Sequence, residues 1–163
     1  MAITPVEALA DLKQRLAPDK RTAIWDVTAT QQAGKWVLNG TVGTKAQKQA
    51  ILAAMLKNGY SKYTDKITVL EDGIPAARKW AQVKLSIATL RTEPKHSAEI
   101  ATQGIMGSPV KVLQKDGEWY RVQMADDYIA YVPESSLAFR PQGRWQPGAR
   151  PSATSLRPMT RAW

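Results

Sequence analysis

Along this chain of 163 residues a helical spacing of apolar positions gives way to a strand-like one. "TPVE" opens a helix as a capping box, with Thr4 as N-cap, Pro5 at the first helical position and Glu7 three residues on. Val6, Leu9, Leu12 and Leu16 then recur on one face until Pro18 stops the helix. In "TAIWDVTATQQAGKWVLNGTV" the period falls to two: Trp25, Val27 and Ala29 alternate, "QQAGK" turns, and Trp36, Leu38 and Val42 follow as the returning strand. A second box, Thr44 with Gln47, begins a helix through "KAQKQAILAAMLKN" that ends near Gly59. "KITVL" adds one short strand. Helix, strand, strand, helix, strand over residues 1–76 predicts a small α+β domain.

From residue 77 to 139 the pattern predicts strands alone. "WAQVKLSIATL" places Val83, Leu85 and Ile87 on one face. A loop, "RTEPKHSAEIATQGIMGSPV", follows, and then "VKVLQ", "EWYRVQM" and "DYIAYV" come in quick succession. "KDGE" holds the Asp-Gly pair typical of hairpins, and "MADD" is a second polar turn. Strands this short and this closely spaced predict an all-β small barrel, which removes open edges by curling the sheet on itself. Residues 140–163 are rich in Pro and Arg, without periodicity, and read as a linker or tail.

Composition narrows the chemistry. There is no cysteine, which removes disulfides, thiolate metal sites and a cysteine nucleophile together, and a single histidine, His96, cannot form a histidine pair for a metal. No cofactor is expected. No run reaches the roughly 20 apolar residues of a spanning helix, and the start has neither a basic nor an apolar leader segment. The formal charge of +9 invites a nucleic-acid reading, but its distribution argues against one. Residues 1–80 carry 12 Lys and Arg against 7 acids, residues 81–139 carry 6 against 7, and residues 140–163 carry 5 against none. The aromatic-rich middle is thus slightly acidic, whereas a base-stacking platform interleaves aromatics with cations.

The run "VLQKDGEWYRVQMADDYIAYV", with "LRTEPKHSAEIATQGIMGSPVKVL" before it, resembles the bacterial SH3 domain that precedes the catalytic domain of NlpC-type cell-wall cysteine endopeptidases. The resemblance covers roughly residues 82–139, with Ala130 and Tyr131 standing where the family has Gly-Trp. It implies a location in the cell envelope and, as partners, peptidoglycan stem peptides, which those enzymes cut between γ-D-glutamate and a diamino acid. Those enzymes also carry a cysteine and a histidine in a following domain, so this chain is expected to have no peptidase chemistry of its own and to lack that catalytic part. Over a shorter stretch, "WVLNGTVGTKAQKQAILAAM" is similar to a BON-type envelope domain. Lys45, Lys48, Lys57, Lys62 and Lys66 crowd this first unit and suit an anionic wall polymer or lipid headgroups, and solvation alone explains them nearly as well.

By that resemblance, Ser97 and Glu99 in "HSAE" match a loop acid that meets the free amine of the stem peptide's terminal alanine. An ammonium held by a carboxylate in a partly dry groove gains a charge-assisted hydrogen bond. A second reading of the same residues makes Ser97 the N-cap of a short helical turn through "SAEIATQ", with Ile100 facing inward. Tyr128 matches a groove-lining position with a free hydroxyl, while Trp119 and Tyr131 serve either the groove or cross-strand packing. On alternating positions, Trp119 and Tyr120 are not expected to be core together. His96, lacking a nucleophile or second ligand, is expected at the surface or in a hydrogen bond. The other reading of the whole chain is a free-standing SH3-like adaptor that binds a protein or, through its basic ends, a nucleic acid.

Overall fold

The computed structural model describes residues 3–140, so the tail expected beyond that point lies outside the described residues. Helix α1 (Pro5–Leu16) starts at Thr4, whose hydroxyl accepts from the Glu7 N–H while the Glu7 carboxylate accepts from the Thr4 N–H. Helix α2 (Lys45–Lys57) repeats the device with Thr44 and Gln47. Between them β1 (Trp25–Gln32) and β2 (Lys35–Val42) form an antiparallel hairpin. Its turn residues Ala33 and Gly34 both have positive φ, which matches the right-handed twist of the strands. Strand β3 (Tyr63–Val69) then joins β2 in parallel, giving a sheet of order β1-β2-β3.

The core of this unit gathers Leu9, Leu12, Trp25, Leu38, Val42, Ile51, Met55 and Ile67 between the sheet and the two helices. The buried stripe of α1 is narrower than the periodicity implied: Pro5, Ala8, Leu9 and Leu12 face inward, while Val6 and Leu16 remain exposed. Gly40 is required by close backbone approach. Its φ is +133°, and a Cβ there would stand 1.8 Å from the Asp26 carbonyl oxygen.

The second sheet contains β4 (Trp80–Val83), β5 (Ile87–Arg91), β6 (Ile100–Ile105), β7 (Pro109–Asp116), β8 (Trp119–Met124), β9 (Ile129–Pro133) and β10 (Leu137–Arg140). Their order is β10-β4-β7-β8-β9-β5-β6. The sheet curls strongly, because Gly104 on β6 faces Val83 on β4 so closely that an added Cβ would stand 3.0 Å from the valine side chain. The ladder nonetheless has two ends, so it is a curled sheet without hydrogen-bonded closure among the described residues. Val83, Leu90, Val110, Val112, Tyr120, Val122 and Val132 fill its interior.

Three expectations change here. "WAQVKLSIATL" is two strands and not one: the chain breaks at residues 84–86, and the inward phase moves from Ala81 and Val83 to Ala88 and Leu90. Leu85 and Ile87 are thereby left exposed. Part of the long loop is strand β6, whose Ile100 and Ile105 face outward. The hairpin turn after β7 centres on Gly117-Glu118, with Gly117 at φ +58°, and Asp116 pairs with Trp119 in the ladder.

The two units touch through specific polar contacts. The Ile129 N–H donates to the Arg21 carbonyl at 2.7 Å, and Gln123 Nε2 donates to the Thr22 carbonyl at 3.1 Å. Glu71 accepts from the Lys45 N–H with one carboxylate oxygen and pairs with Lys111 on β7 at 2.8 Å with the other. Burial pushes the Glu71 carboxyl up, but the bonds from Lys111 and Lys45 outweigh it and hold the group below its ordinary 4.5.

Candidate functional site

The segment between β5 and β6 is a tight loop fixed by its own backbone. The Thr92 N–H donates to the Glu99 carbonyl at 3.0 Å, the Ala98 N–H donates to the Lys95 carbonyl, and Arg91 Nη1 donates to the Ala98 carbonyl at 2.6 Å. A register shift at Leu90/Arg91 marks where the chain leaves the regular ladder. Ala98 is buried beneath the loop. The helical turn with Ser97 as N-cap does not form, since Ser97 lies in a turn and Ile100 begins a strand with its side chain 53% exposed. Glu99 is exposed, and among the described residues its carboxylate joins no ion pair or hydrogen bond, so only its carbonyl is used structurally.

Trp119 and Tyr120 are both buried, on opposite faces of β8. Tyr120 points into the interior, meets Phe139 edge-on at 5.1 Å, and accepts a hydrogen bond on its hydroxyl from Arg78 Nη1 at 2.8 Å. Trp119 lies on the outer face and is not part of that core. Its ring is 4.9 Å from the ring of His96, which the loop carries over it. Only Tyr120 belongs to the interior core, as alternation along the strand requires; what alternation did not show is that Trp119 is also covered, on the outer face, where the His96 ring of the loop lies against it. His96 is exposed, as expected, with its ring lying against Trp119.

The same outer face continues along β8 and β9. Arg121 stands opposite Tyr131 in register, and its guanidinium lies over the tyrosine ring at 5.5 Å. Arg91 on β5 is the register partner of Tyr131 on its other side, although its guanidinium is engaged with the Ala98 carbonyl. Tyr128 lies in the loop before β9, half-buried, where the Arg21 guanidinium of the first unit covers its ring at 5.8 Å. Arg21 is pinned by Asp19, whose carboxyl is held down to about 2 by hydrogen bonds from the Arg21 side chain and N–H. Tyr128 is therefore less open than a bare groove wall.

The structure thus joins Trp119 and Tyr131 on one face, with His96 against the first. Tyr128 sits at the end of that face under Arg21. No hydrogen bond joins Glu99 to Tyr128 among the described residues. Arg21, Arg121 and Gln123 were invisible as site residues in the sequence, because their significance comes from the docking of residues 19–24 on β8 and β9. Of the five lysines singled out above, Lys45 pairs with Asp72 and Lys48 with Asp65, which leaves Lys57, Lys62 and Lys66 as the exposed cations of that set without an acid. None of the described residues forms a cluster of His, Cys, Asp or Glu suited to a metal. No helix among them is long and apolar enough to cross a membrane.

Residues 90–137 match the family model described as the bacterial dipeptidyl-peptidase SH3 domain. The match opens in β5 and closes at the first residue of β10, so it takes in the loop of Glu99 and the β7–β9 meander. No curated protein matches the chain.

Proposed function

We propose that this chain is a non-catalytic region of a bacterial cell-wall hydrolase of the NlpC type, which binds the peptide stems of peptidoglycan and positions them for cleavage. The starting premise is an SH3 domain of the kind found with bacterial dipeptidyl peptidases. The observation that carries the reading is Glu99. Its carboxylate is exposed and unpaired on a loop whose backbone is cross-bonded by Arg91 and Thr92, within the segment that matches the family. The loop backbone is fixed and the carboxylate has no internal partner to give up, which suits capture of the free ammonium of a terminal L-alanine. The face with Trp119 and Tyr131 gives the remainder of the peptide an aromatic surface, and Ser97 beside Glu99 offers a hydroxyl to its backbone. With no cysteine in the sequence, the chain has no thiolate to attack an amide, so its role is to hold substrate. The place of action is the cell envelope.

Sedimentation with insoluble peptidoglycan tests this reading. The chain is expected to co-sediment with intact sacculi and to remain in solution when the stem peptides have been removed enzymatically. Equal retention on stripped glycan, or retention by nucleic acid with a steep salt slope, would overturn it.

A further inference from the structure

An open cleft of about 700 Å³ lies where the end of α1 and residues 17–26 face β8. Its charged lining consists of Lys13, Asp19, Lys20, Arg21, Asp26 and Arg121. Asp19 is fully engaged, since Arg21 Nε reaches both of its oxygens, at 3.1 and 3.0 Å, and Nη2 reaches one at 2.7 Å. That pair cancels and leaves Lys13, Lys20 and Arg121 facing Asp26 alone. Arg121 is the unusual member: its Nε is buried and makes no hydrogen bond, and its guanidinium is fixed against the Tyr131 ring. A guanidinium with one N–H withheld from water and no acid beside it is an incompletely compensated charge. The buried Nε itself stays out of a ligand's reach, but the charge of the guanidinium is felt in the cleft that Arg121 lines, where a planar oxyanion balances it, and an arginine already oriented by an aromatic ring favours a carboxylate. The volume falls within the range of small-ligand sites.

We infer that this cleft is a second ligand site, which takes the free carboxylates of a short acidic peptide. The peptide class rests on the function proposed above, whereas the charge preference rests on the cleft alone. The site is separate from Glu99, which is not among its lining residues, and of opposite sign.

The test is a chemical-shift titration of the full chain with N-acetyl-L-alanyl-D-glutamate and with the diamide of the same peptide. Acetylation removes the ammonium, so the result does not depend on Glu99 and the two readings fail separately. The dicarboxylate is expected to move the amides of residues 20–26 and 121, and the diamide is expected to leave them in place. Arg121→Gln should weaken the dicarboxylate roughly tenfold or more, the size of one charge-assisted hydrogen bond. Lys20→Gln, at an exposed position, should weaken it roughly twofold to fivefold without disturbing the fold, and decides the matter if Arg121→Gln fails to fold. Equal shifts with the diamide, shifts confined to other surfaces, or undiminished binding in the folded variants would overturn the proposal. Inorganic phosphate binding the cleft as well as or better than the dicarboxylate would overturn the carboxylate assignment.

Discussion

Replacing Trp119 by alanine separates a ring buried by a loop from one buried in a core. Trp119 is 9% exposed, so about 180 Å² of a ring of roughly 200 Å² is kept from water. At about 25 cal/mol per Å² this is worth ~4.5 kcal/mol against an extended chain, and ~3–4 kcal/mol once denatured-state compaction is allowed for. The partner on the loop is His96, and a ring pair at 4.9 Å contributes about 0.5–1.5 kcal/mol beyond its area. Trp119→Ala should therefore cost ~3–4 kcal/mol. His96→Ala should cost ~1 kcal/mol in the wild type and almost nothing in the Trp119→Ala background, because its packing partner has gone. Hydrogen exchange of β7 and β8 amides reads the stability of the second sheet separately from the first unit. A near-neutral Trp119→Ala, or a His96→Ala effect of the same size in both backgrounds, would refute the view that the loop buries this ring.

Two further outcomes follow from single contacts. Gly40→Ala should destabilise the first sheet by more than about 3 kcal/mol, or prevent folding, since a Cβ 1.8 Å from the Asp26 carbonyl oxygen forces the β1–β2 hairpin apart; an unchanged melting temperature would contradict this. Glu71 has a carboxyl lowered below its unfolded value of 4.5, so its contribution is complete above that pH and is lost as pH falls through the lower folded value. Chemical denaturation of wild type and Glu71→Gln should accordingly differ at pH 7 and converge in acid, and a gap that persists in acid would show that the charge is not the cause.

How far the sequence could be read depended on how local each determinant is. Both capping boxes and the Ala33-Gly34 turn are settled within a few residues and stand where the pattern put them, and the β7–β8 hairpin does too except that its turn is shifted by one residue, onto Gly117-Glu118. Strand β6 was missed because its outward residues Ile100 and Ile105 and its inward Gly104 reverse the usual alternation of polar and apolar sides. Gly104 is there because Val83 lies across from it, which is knowledge of the curl and not of the chain. The phase change between Val83 and Ala88 was hidden for a similar reason: "WAQVKLSIATL" alternates smoothly enough to suggest one strand. Trp119 and Tyr120 were read as rivals, since alternation gives one inward face and cannot foresee a loop that covers the outer one. The interface residues Arg21, Glu71, Lys111 and Arg121 carry no local signature, because each acts on a residue distant in the chain or on the cleft between the two units. Glu99 was found through family resemblance, and the structure adds that its carboxylate is exposed and uncommitted.

The most direct measurement is a chemical-shift titration of wild type and Glu99→Gln with a stem-type peptide beginning at a free L-alanine and with its N-acetylated form. The wild type should bind the free-amine peptide weakly, at about millimolar or −4 kcal/mol, and the acetylated form roughly tenfold less tightly, because acetylation deletes the ammonium that Glu99 would hold. Glu99→Gln should lose the preference while melting at the same temperature, since the wild-type carboxylate bonds nothing among the described residues. Equal binding of the two peptides by the wild type, or a preference that survives in Glu99→Gln, would contradict the assignment of this loop to a peptide amine.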